Sequence, residues 1–315
     1  MTANEANSMK TLRFHQYGEP AAVLHLEDAP LPIPGPGHIR VRVQACGLNP
    51  ADWALCQGLF PGRLPRGIGL DVAGTVDVVG DGVQDVVPGD AVLGAADFAG
   101  YDSAGASEFA VLHHWARRPA GLDPVEAAAL PLAFVTAQHG LDVLGVTAGQ
   151  TLMVNGAGTT IGYAAVQIAL MRGARVVATA GTTYAEPLRA LGALVTSYGA
   201  GMAGRVLALT GTPPDLILDT APPSGVLPTL IEIAGNPAHV LTVSDLAGAN
   251  ELGVRINLTA DIPMRYDLLE RFAQLAAERT FSVPVAGTFP LEDWRAALDL
   301  SQSGQARGKL VLLLQ

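Results

Sequence analysis

Cysteine is scarce: Cys46 and Cys56 are the only two in 315 residues. Two thiols build neither a disulfide framework nor a four-thiolate zinc lobe, so the expected state is two reduced thiols in a cytoplasmic chain. Basic charge is also short, with 19 Lys and Arg against 29 Asp and Glu and a net charge of −10. That balance lacks the basic footprint of a nucleic-acid or anionic-lipid binder, and neither partner is expected. No run of about 18 apolar residues reads as a membrane span. The start, Met1 to Ser8, is polar and lacks the apolar centre of a secretion signal, so residues 1–8 are expected to be a disordered extension before Met9. Charged residues make up only 15% and hydrophobic residues 49%, which excludes an intrinsically disordered chain. The length suits two domains better than one core.

Residues 10 to about 125 read as short strands broken by glycine and proline. Ile39-Arg40-Val41-Arg42-Val43 alternates with period two, and Gly74 to Val79 is a further strand. Turns stand at Pro34-Gly35-Pro36-Gly37, Gly80-Asp81-Gly82 and Pro88-Gly89-Asp90. The pattern is that of an all-β, barrel-like region. It changes near Asp123, an N-cap for a helix over Pro124 to Ala129. A second helix is predicted over Val135 to Leu144, ended by Gly145. Strands and helices then alternate: Thr151–Val154, helix Thr160–Arg172, Arg175–Ala180, helix Ala185–Leu191, Asp215–Leu218 and His239–Val243. Short, wholly apolar strands between helices indicate a parallel sheet covered on both faces, the doubly wound α/β architecture. After about residue 267 come a helix, the stretch Phe281 to Pro290, an amphipathic helix over Leu291 to Gln302, and a last strand from Lys309.

The turn Asn155-Gly156-Ala157-Gly158-Thr159-Thr160-Ile161-Gly162 joins a strand to a helix, the context a dinucleotide site requires. Glycines there allow the tight turn and the approach of backbone to pyrophosphate, and the helix N-terminus offers free N–H groups. Its spacing is one residue off Gly-x-Gly-x-x-Gly. The other register puts Ala157, Thr159 and Gly162 at the three positions, with Thr159 either crowding a phosphate or donating to it. An NAD site places an acid at the end of the next strand. Here Thr179-Ala180-Gly181-Thr182-Thr183 is neutral and rich in hydroxyls, which favours NADP(H). Arg189 and Tyr198 stand where they can reach a 2′-phosphate; a solvated helix face and sheet-edge packing are the alternatives. Asp219, Thr220, Ala221, Val243 and Ser244 lie at carboxyl ends of strands, where the crevice of such sheets is found.

From Met9 onward the sequence resembles the medium-chain dehydrogenase/reductase superfamily, in its zinc-independent, quinone oxidoreductase-like branch. The stretches that carry the likeness are Met9 to Phe14 with Tyr17-Gly18, Ala45 to Asp52, Gly69 to Gly74, Leu130 to Ala137 and Arg307 to Leu312. The resemblance implies a GroES-like catalytic domain over 1–126 and 267–315, a Rossmann domain over 127–266, and a homodimer formed through the edges of the nucleotide-domain sheets. Where zinc-dependent relatives carry a cysteine and a histidine ligand, this chain has Asn49 and Leu70. A catalytic zinc needs about three protein ligands, so no metal is expected. His113 and His114 are adjacent in an extended segment, which points them to opposite faces and makes them surface or packing residues.

Without zinc the resemblance implies hydride transfer from NADPH to a quinone or α,β-unsaturated carbonyl, the protein orienting both and offering a donor to the developing oxygen charge. It places Asn49 and Thr136 near nicotinamide and substrate and adds Lys309 to the cofactor contacts. The alternatives are a turn-forming Asn before Pro50 and a helix Thr bonded to its own backbone. Asp52 and Asp71 also match family positions and suit a structural tie. The loop Ala95 to Ala106, with Phe98 and Tyr101, is a pocket wall or a plain surface loop. The rival to an enzyme is a nucleotide-binding sensor or structural protein with little turnover.

Overall fold

In the computed structural model the described residues are 7–258 and 261–314. They form two compact units, one holding the chain up to Leu132 and again from Tyr266 onward, the other Ala133–Arg265. Of the expected extension, residues 1–6 lie outside the described residues, whereas Ser8 opens the first strand, in which Met9, Leu12 and Phe14 are buried.

The first unit begins with β1 (Ser8–Phe14), α1 (Pro20–Val23), β2 (Leu24–Pro30), β3 (Ile39–Leu48), α2 (Pro50–Cys56), β4 (Arg66–Gly67), β5 (Asp71–Val79), β6 (Ala91–Ala96), β7 (Phe109–Arg117) and α3 (Pro124–Ala129). The second holds α4 (Pro131–Leu144) from Ala133 on, then β8 (Thr151–Asn155), α5 (Thr160–Met171), β9 (Arg175–Thr179), α6 (Thr182–Ala190), β10 (Leu194–Thr196), α7 (Met202–Thr210), β11 (Leu216–Asp219), α8 (Leu227–Ala234), β12 (Val240–Thr242), α9 (Leu246–Leu252) and β13 (Arg255–Ile256). The chain then returns to the first unit as α10 (Leu269–Ala277), β14 (Val285–Pro290), α11 (Trp294–Gln302) and β15 (Lys309–Leu313).

In the first unit six strands run in the order β14-β15-β3-β5-β6-β7, and a further β3–β7 pairing closes β3, β5, β6 and β7 into a barrel. The period-two alternation of Ile39, Val41 and Val43 turns those side chains into a core shared with Val72, Val92, Leu112 and Leu312. Closure removes the open edges that a four-stranded sheet would present. The last strand, β15, pairs antiparallel with β3, so residues some 260 positions apart in sequence, Lys309 and Asn49, come into hydrogen-bond contact.

In the second unit all six strands are parallel, in the order β10-β9-β8-β11-β12-β13. Two strands lie to one side of β8 and three to the other, so the order reverses between β8 and β11. Such a switch point is where open α/β sheets bind ligands, at the carboxyl ends of the strands. Leu152 to Val154, Val176 to Ala178 and Ile217 to Leu218 are wholly buried, as expected of strands covered on both faces.

Several predicted boundaries move. Helix α4 starts at Pro131, not Val135, because proline fits a first helical turn. Helix α6 starts at Thr182, not Ala185, with Gly181 in extended conformation as its N-cap, so Thr182 and Thr183 belong to a helical turn rather than a strand end. The stretch Leu291 to Gln302 divides into a 3-10 turn and α11. Asp123 caps α3 as expected, accepting from Val125 N at 2.8 Å. The run Pro124–Leu144 is 21 residues long, and its most apolar 18-residue window has a mean hydropathy of 1.2, long and apolar enough by composition to cross a membrane, yet 83% of that window is buried inside the protein.

The two adjacent histidines do not point apart. Ala95 pairs with His114 and Ala96 with Leu112, so His113 is the extra residue of a bulge in β7. A bulge breaks the strict alternation of side chains. The two imidazole centroids consequently lie 4.5 Å apart, and Tyr266 stacks on His114 at 4.2 Å.

Candidate functional site

The turn between β8 and α5 follows from its residues. Gly156 has a φ of +75°, and a Cβ there would stand 2.6 Å from the backbone nitrogen of Ala221. A Cβ on Gly162 would stand 2.4 Å from the Gly156 carbonyl oxygen. Gly162 is therefore the close-packing glycine between helix and strand, and the register with Ala157, Thr159 and Gly162 describes the turn. Thr159 is the N-cap of α5: its Oγ1 accepts from Gly162 N at 3.0 Å and donates to Thr220 Oγ1 at 3.0 Å. The hydroxyl thus folds back into the cap. The N–H groups of Gly158, Thr160 and Ile161 donate to no protein acceptor among the described residues. Free N–H groups at the start of a helix form an anion-binding face.

Asn155, Asp219 and Thr220 were expected to meet a cofactor, but all three side chains are buried. Asn155 Nδ2 donates to Asp219 Oδ1 at 2.8 Å, and Ala221 N donates to the same oxygen at 3.2 Å. Thr242 Oγ1 donates to Asp219 Oδ2 at 2.9 Å. Burial pushes the Asp219 carboxyl above its usual range, against the pull of these donors. Thr220 Oγ1 donates to the carbonyls of Asn155 and Gly156, both at 3.0 Å. Val243 and Ser244, just past β12, are half-buried, and the Ser244 hydroxyl bonds the Ala221 carbonyl. The hydroxyls of Thr179 and Thr242 join this set: in sequence Thr179 reads only as part of the neutral end of its strand, and Thr242, which looks like an ordinary β-branched strand residue, was missed.

At the end of β9, Ala180 is buried while Gly181, Thr182 and Thr183 are exposed. Tyr198, 65% exposed, stands beside them: a Cβ built on Gly181 would lie 3.9 Å from its hydroxyl. The loop that carries Tyr198 is tied down by Arg205, which sequence reading missed. Its guanidinium gathers the carbonyls of Ser197, Tyr198 and Ala200. Arg189 pairs with Glu186 across one helical turn.

The first unit contains a second polar constellation. Asn49 is the N-cap residue of α2, and Asp52 Oδ2 accepts from its backbone N–H at 2.7 Å. The Asn49 side chain donates through Nδ2 to Asp71 Oδ2 at 3.0 Å and accepts through Oδ1 from Lys309 Nζ at 2.5 Å. Asp71 also accepts from Lys309 Nζ and, through Oδ1, from Leu132 N at 2.7 Å. Asp52 Oδ1 takes the N–H groups of Gly69 and Leu70 at 2.7 and 3.0 Å. Burial pushes the Asp52 carboxyl up to about 6, opposed by those backbone donors. Asn49, Asp52, Asp71 and Lys309 are all buried, so Lys309, expected among the cofactor contacts, directs its amine into this network. Leu70 donates no metal ligand, Asn49 is already engaged by protein partners, and no group of three or more His, Cys, Asp or Glu is arranged to hold a metal among the described residues.

Thr136 on α4 is half-buried, and its hydroxyl has no hydrogen-bond partner among the described residues, so the alternative of a helix Thr bonded to its own backbone is not what the structure contains. Tyr266, another residue missed from sequence, has its phenol pushed up to about 12 by burial and by the charge of Asp71. Burial lowers both His113 and His114; the charge of His114 adds to this at His113, where Asp97 opposes it, and the charge of His38 adds to it at both. Of the loop Ala95 to Ala106, Gly100, Tyr101, Asp102 and Ser103 line a cavity of about 330 Å³ within the first unit together with Arg13 and Arg63, with neither Asn49 nor Thr136 in its lining, whereas Phe98 packs beneath the Arg66 guanidinium.

Residues 35–117 match the alcohol dehydrogenase GroES-like domain, and residues 205–312 match the zinc-binding dehydrogenase domain. The chloroplast envelope quinone oxidoreductase homolog of Arabidopsis thaliana is 34% identical over 59% of this chain and 59% of its own, so the chain spans little more than half of that relative. Quinone-oxidoreductase QR1 of Triphysaria versicolor is 28% identical over 96% of this chain and 98% of its own. Among solved structures, the quinone oxidoreductase from Coxiella burnetii superposes with a TM-score of 0.82 at 27% identity, covering 98% of this chain and all of its own.

Proposed function

We propose, from the premise that the chain belongs to the medium-chain dehydrogenase/reductase superfamily and its quinone oxidoreductase-like branch, that it reduces a quinone or an α,β-unsaturated carbonyl with NADPH and without zinc. One observation carries the reading: an α5 N-terminus with three unpartnered N–H groups stands at the switch point of a parallel sheet, and the neighbouring strand β9 ends without an acid. When bound there, the nicotinamide supplies a hydride, and a proton from solvent completes the two-electron reduction.

The chain's residues then have separate tasks. Gly158, Thr160 and Ile161 offer N–H groups to the pyrophosphate. Gly181, Thr182, Thr183 and Tyr198 form a neutral, hydroxyl-bearing surface for the 2′-phosphate, and Val243, Ser244 and Ala221 border the nicotinamide end. The free hydroxyl of Thr136 is a donor for the acceptor's oxygen, where charge develops. Asn49 and Lys309 hold each other and Asp71, so they act as positioning residues. A proposed homodimer uses the edges of the parallel sheet, and the two buried, reduced thiols suit a cytoplasmic protein.

The test is fluorescence titration with NADPH and with NADH, followed by addition of 1,4-benzoquinone or 9,10-phenanthrenequinone. Tighter binding of NADPH with quinone-dependent oxidation is the expected result. Binding without oxidation of any quinone or enone favours the sensor reading, to which the engaged amide of Asn49 lends support. Absence of binding to either nucleotide at millimolar concentration overturns both.

A further inference from the structure

A row of hydrogen bonds crosses four neighbouring strands at their carboxyl ends. It runs through Thr179 of β9, Asn155 of β8, Asp219 of β11 and Thr242 of β12, all buried. Thr179 Oγ1 donates to Asn155 Oδ1 at 2.7 Å, and Asn155 Nδ2 donates to Asp219 Oδ1 at 2.8 Å. From the other side, Thr242 Oγ1 donates to Asp219 Oδ2 at 2.9 Å.

The carboxylate at the centre dictates the direction of every bond. An ionised Asp only accepts, so Asn155 must present its Nδ2 to Asp219 and its Oδ1 to Thr179. The single hydroxyl proton of Thr179 then goes to Asn155, which leaves only lone pairs on its outer side. Those lone pairs meet the Gly156 N–H at 3.1 Å. The same logic holds on the opposite arm. Thr242 gives its proton to Asp219, and its lone pairs receive the N–H groups of Asp245 and Ser244 at 3.2 and 3.4 Å. A neutral residue at the centre would not impose this order, because an amide or hydroxyl can be turned either way.

We infer that Asp219, with Asn155, Thr179 and Thr242, is a positioning row that fixes the first peptide of the phosphate turn and the Ser244–Asp245 backbone together, through one buried charge. Its four side chains are buried and engaged with one another, so they act through the backbone they hold. In the proposed nucleotide site, on which the functional meaning of the row rests, its two ends border the pyrophosphate and the nicotinamide. The row accordingly predicts that damage at one end is felt at the other, across the intervening strand β11.

The decisive comparison is Thr242→Val against Thr242→Ser in the nucleotide-free protein, read by residue-resolved amide hydrogen exchange. Valine keeps the volume and removes the hydroxyl; serine restores it. Exchange at Gly156, which is separated from Thr242 by β11, is expected to quicken about tenfold in T242V and to return to the wild-type rate in T242S, since members of one hydrogen-bond network are energetically coupled. Unchanged exchange at Gly156 in T242V overturns the inference, as does a T242S protein that behaves like T242V. If T242V does not fold, Thr179→Val with Thr179→Ser asks the same question from the other end, read at the Ser244 and Asp245 amides. The proposed function is judged separately by NADPH titration of the wild type. A wild type that binds no nucleotide sinks that function while the exchange data still decide the row. Where NADPH does bind, its Kd is expected to rise about tenfold in T242V and to recover in T242S.

Discussion

Lys309 Nζ lies 2.6 Å from Asp71 Oδ2, and both side chains are only 1% exposed. The pair joins β15, near the end of the chain, to β5, and the Asn49 amide completes it. Removing one member leaves a buried charge without a partner, which typically costs about 3–5 kcal/mol. Lys309→Met is therefore expected to lower the unfolding free energy by about that amount. The double variant Lys309→Met with Asp71→Leu should lose less than Lys309→Met alone, since Asp71 is no longer left as a charge without its partner. Denaturant unfolding followed by tryptophan fluorescence compares them; equal losses in single and double variants would show that the ion pair is not what holds the strands.

Asp52 supplies a pH test with a definite sign. Its carboxyl stands at about 6 in the folded protein against a usual 3.8. The folded state therefore keeps a proton that the unfolded state releases between those values. Stability from this group is fully present below about pH 4 and is lost as pH rises toward 6, by about 3 kcal/mol at 1.36 kcal/mol per unit. Other carboxylates titrate in the same range, so the informative quantity is the difference between wild type and Asp52→Asn. That difference should fall by about 2.5 kcal/mol from pH 4 to pH 7. A difference that stays flat across this range would mean that the backbone N–H groups of Asn49, Gly69 and Leu70 keep Asp52 ionised throughout.

The two thiols report on integrity of the barrel. Cys46 and Cys56 are both fully buried; burial raises Cys46 well above its usual value and pushes Cys56 up to about 12. A thiol of that kind carries almost no thiolate at pH 8 and is out of reach of reagent. Titration with dithionitrobenzoate at pH 8 should find no reactive thiol in the native protein and two after denaturation. Prompt reaction of either thiol in the native protein contradicts the burial described for β3 and α2.

Much of this was legible in the sequence, because the signals were periodic or local. The alternation through Ile39 to Val43 and the apolar strands at 151–154 and 175–180 gave the two architectures, since each period maps onto one burial pattern. The glycine turn was legible because φ at Gly156 and packing at Gly162 tolerate little else. What stayed hidden depends on pairing between distant strands. Nothing near Lys309 in sequence announces Asn49 or Asp71, and the roles of Thr179 and Thr242 exist only because β9 and β12 flank β8 and β11. The bulge at His113 was also invisible, because register shifts are set by the partner strand.

The end of β9 offers a substitution that separates charge recognition from folding. Gly181 has a φ of −74° and caps α6 without a side chain. A Cβ there meets only the Tyr198 ring and hydroxyl, at 3.9 to 4.0 Å, so the backbone and the space both accept another residue. Gly181→Asp introduces an N-cap carboxylate, which is neutral to slightly stabilising for the helix. In the proposed site the same carboxylate faces the 2′-phosphate of NADPH, whereas it accepts a hydrogen bond from the free 2′-hydroxyl of NADH. The Kd for NADPH is therefore expected to rise by about tenfold or more, with NADH binding unchanged or tighter, because like charges held close repel. The thermal midpoint should hold or rise slightly. Parallel fluorescence titrations with the two nucleotides make the comparison. If both affinities fall together, the residue acts on the turn as a whole; if neither changes, the 2′-phosphate lies elsewhere and the assignment of Gly181, Thr182, Thr183 and Tyr198 is wrong.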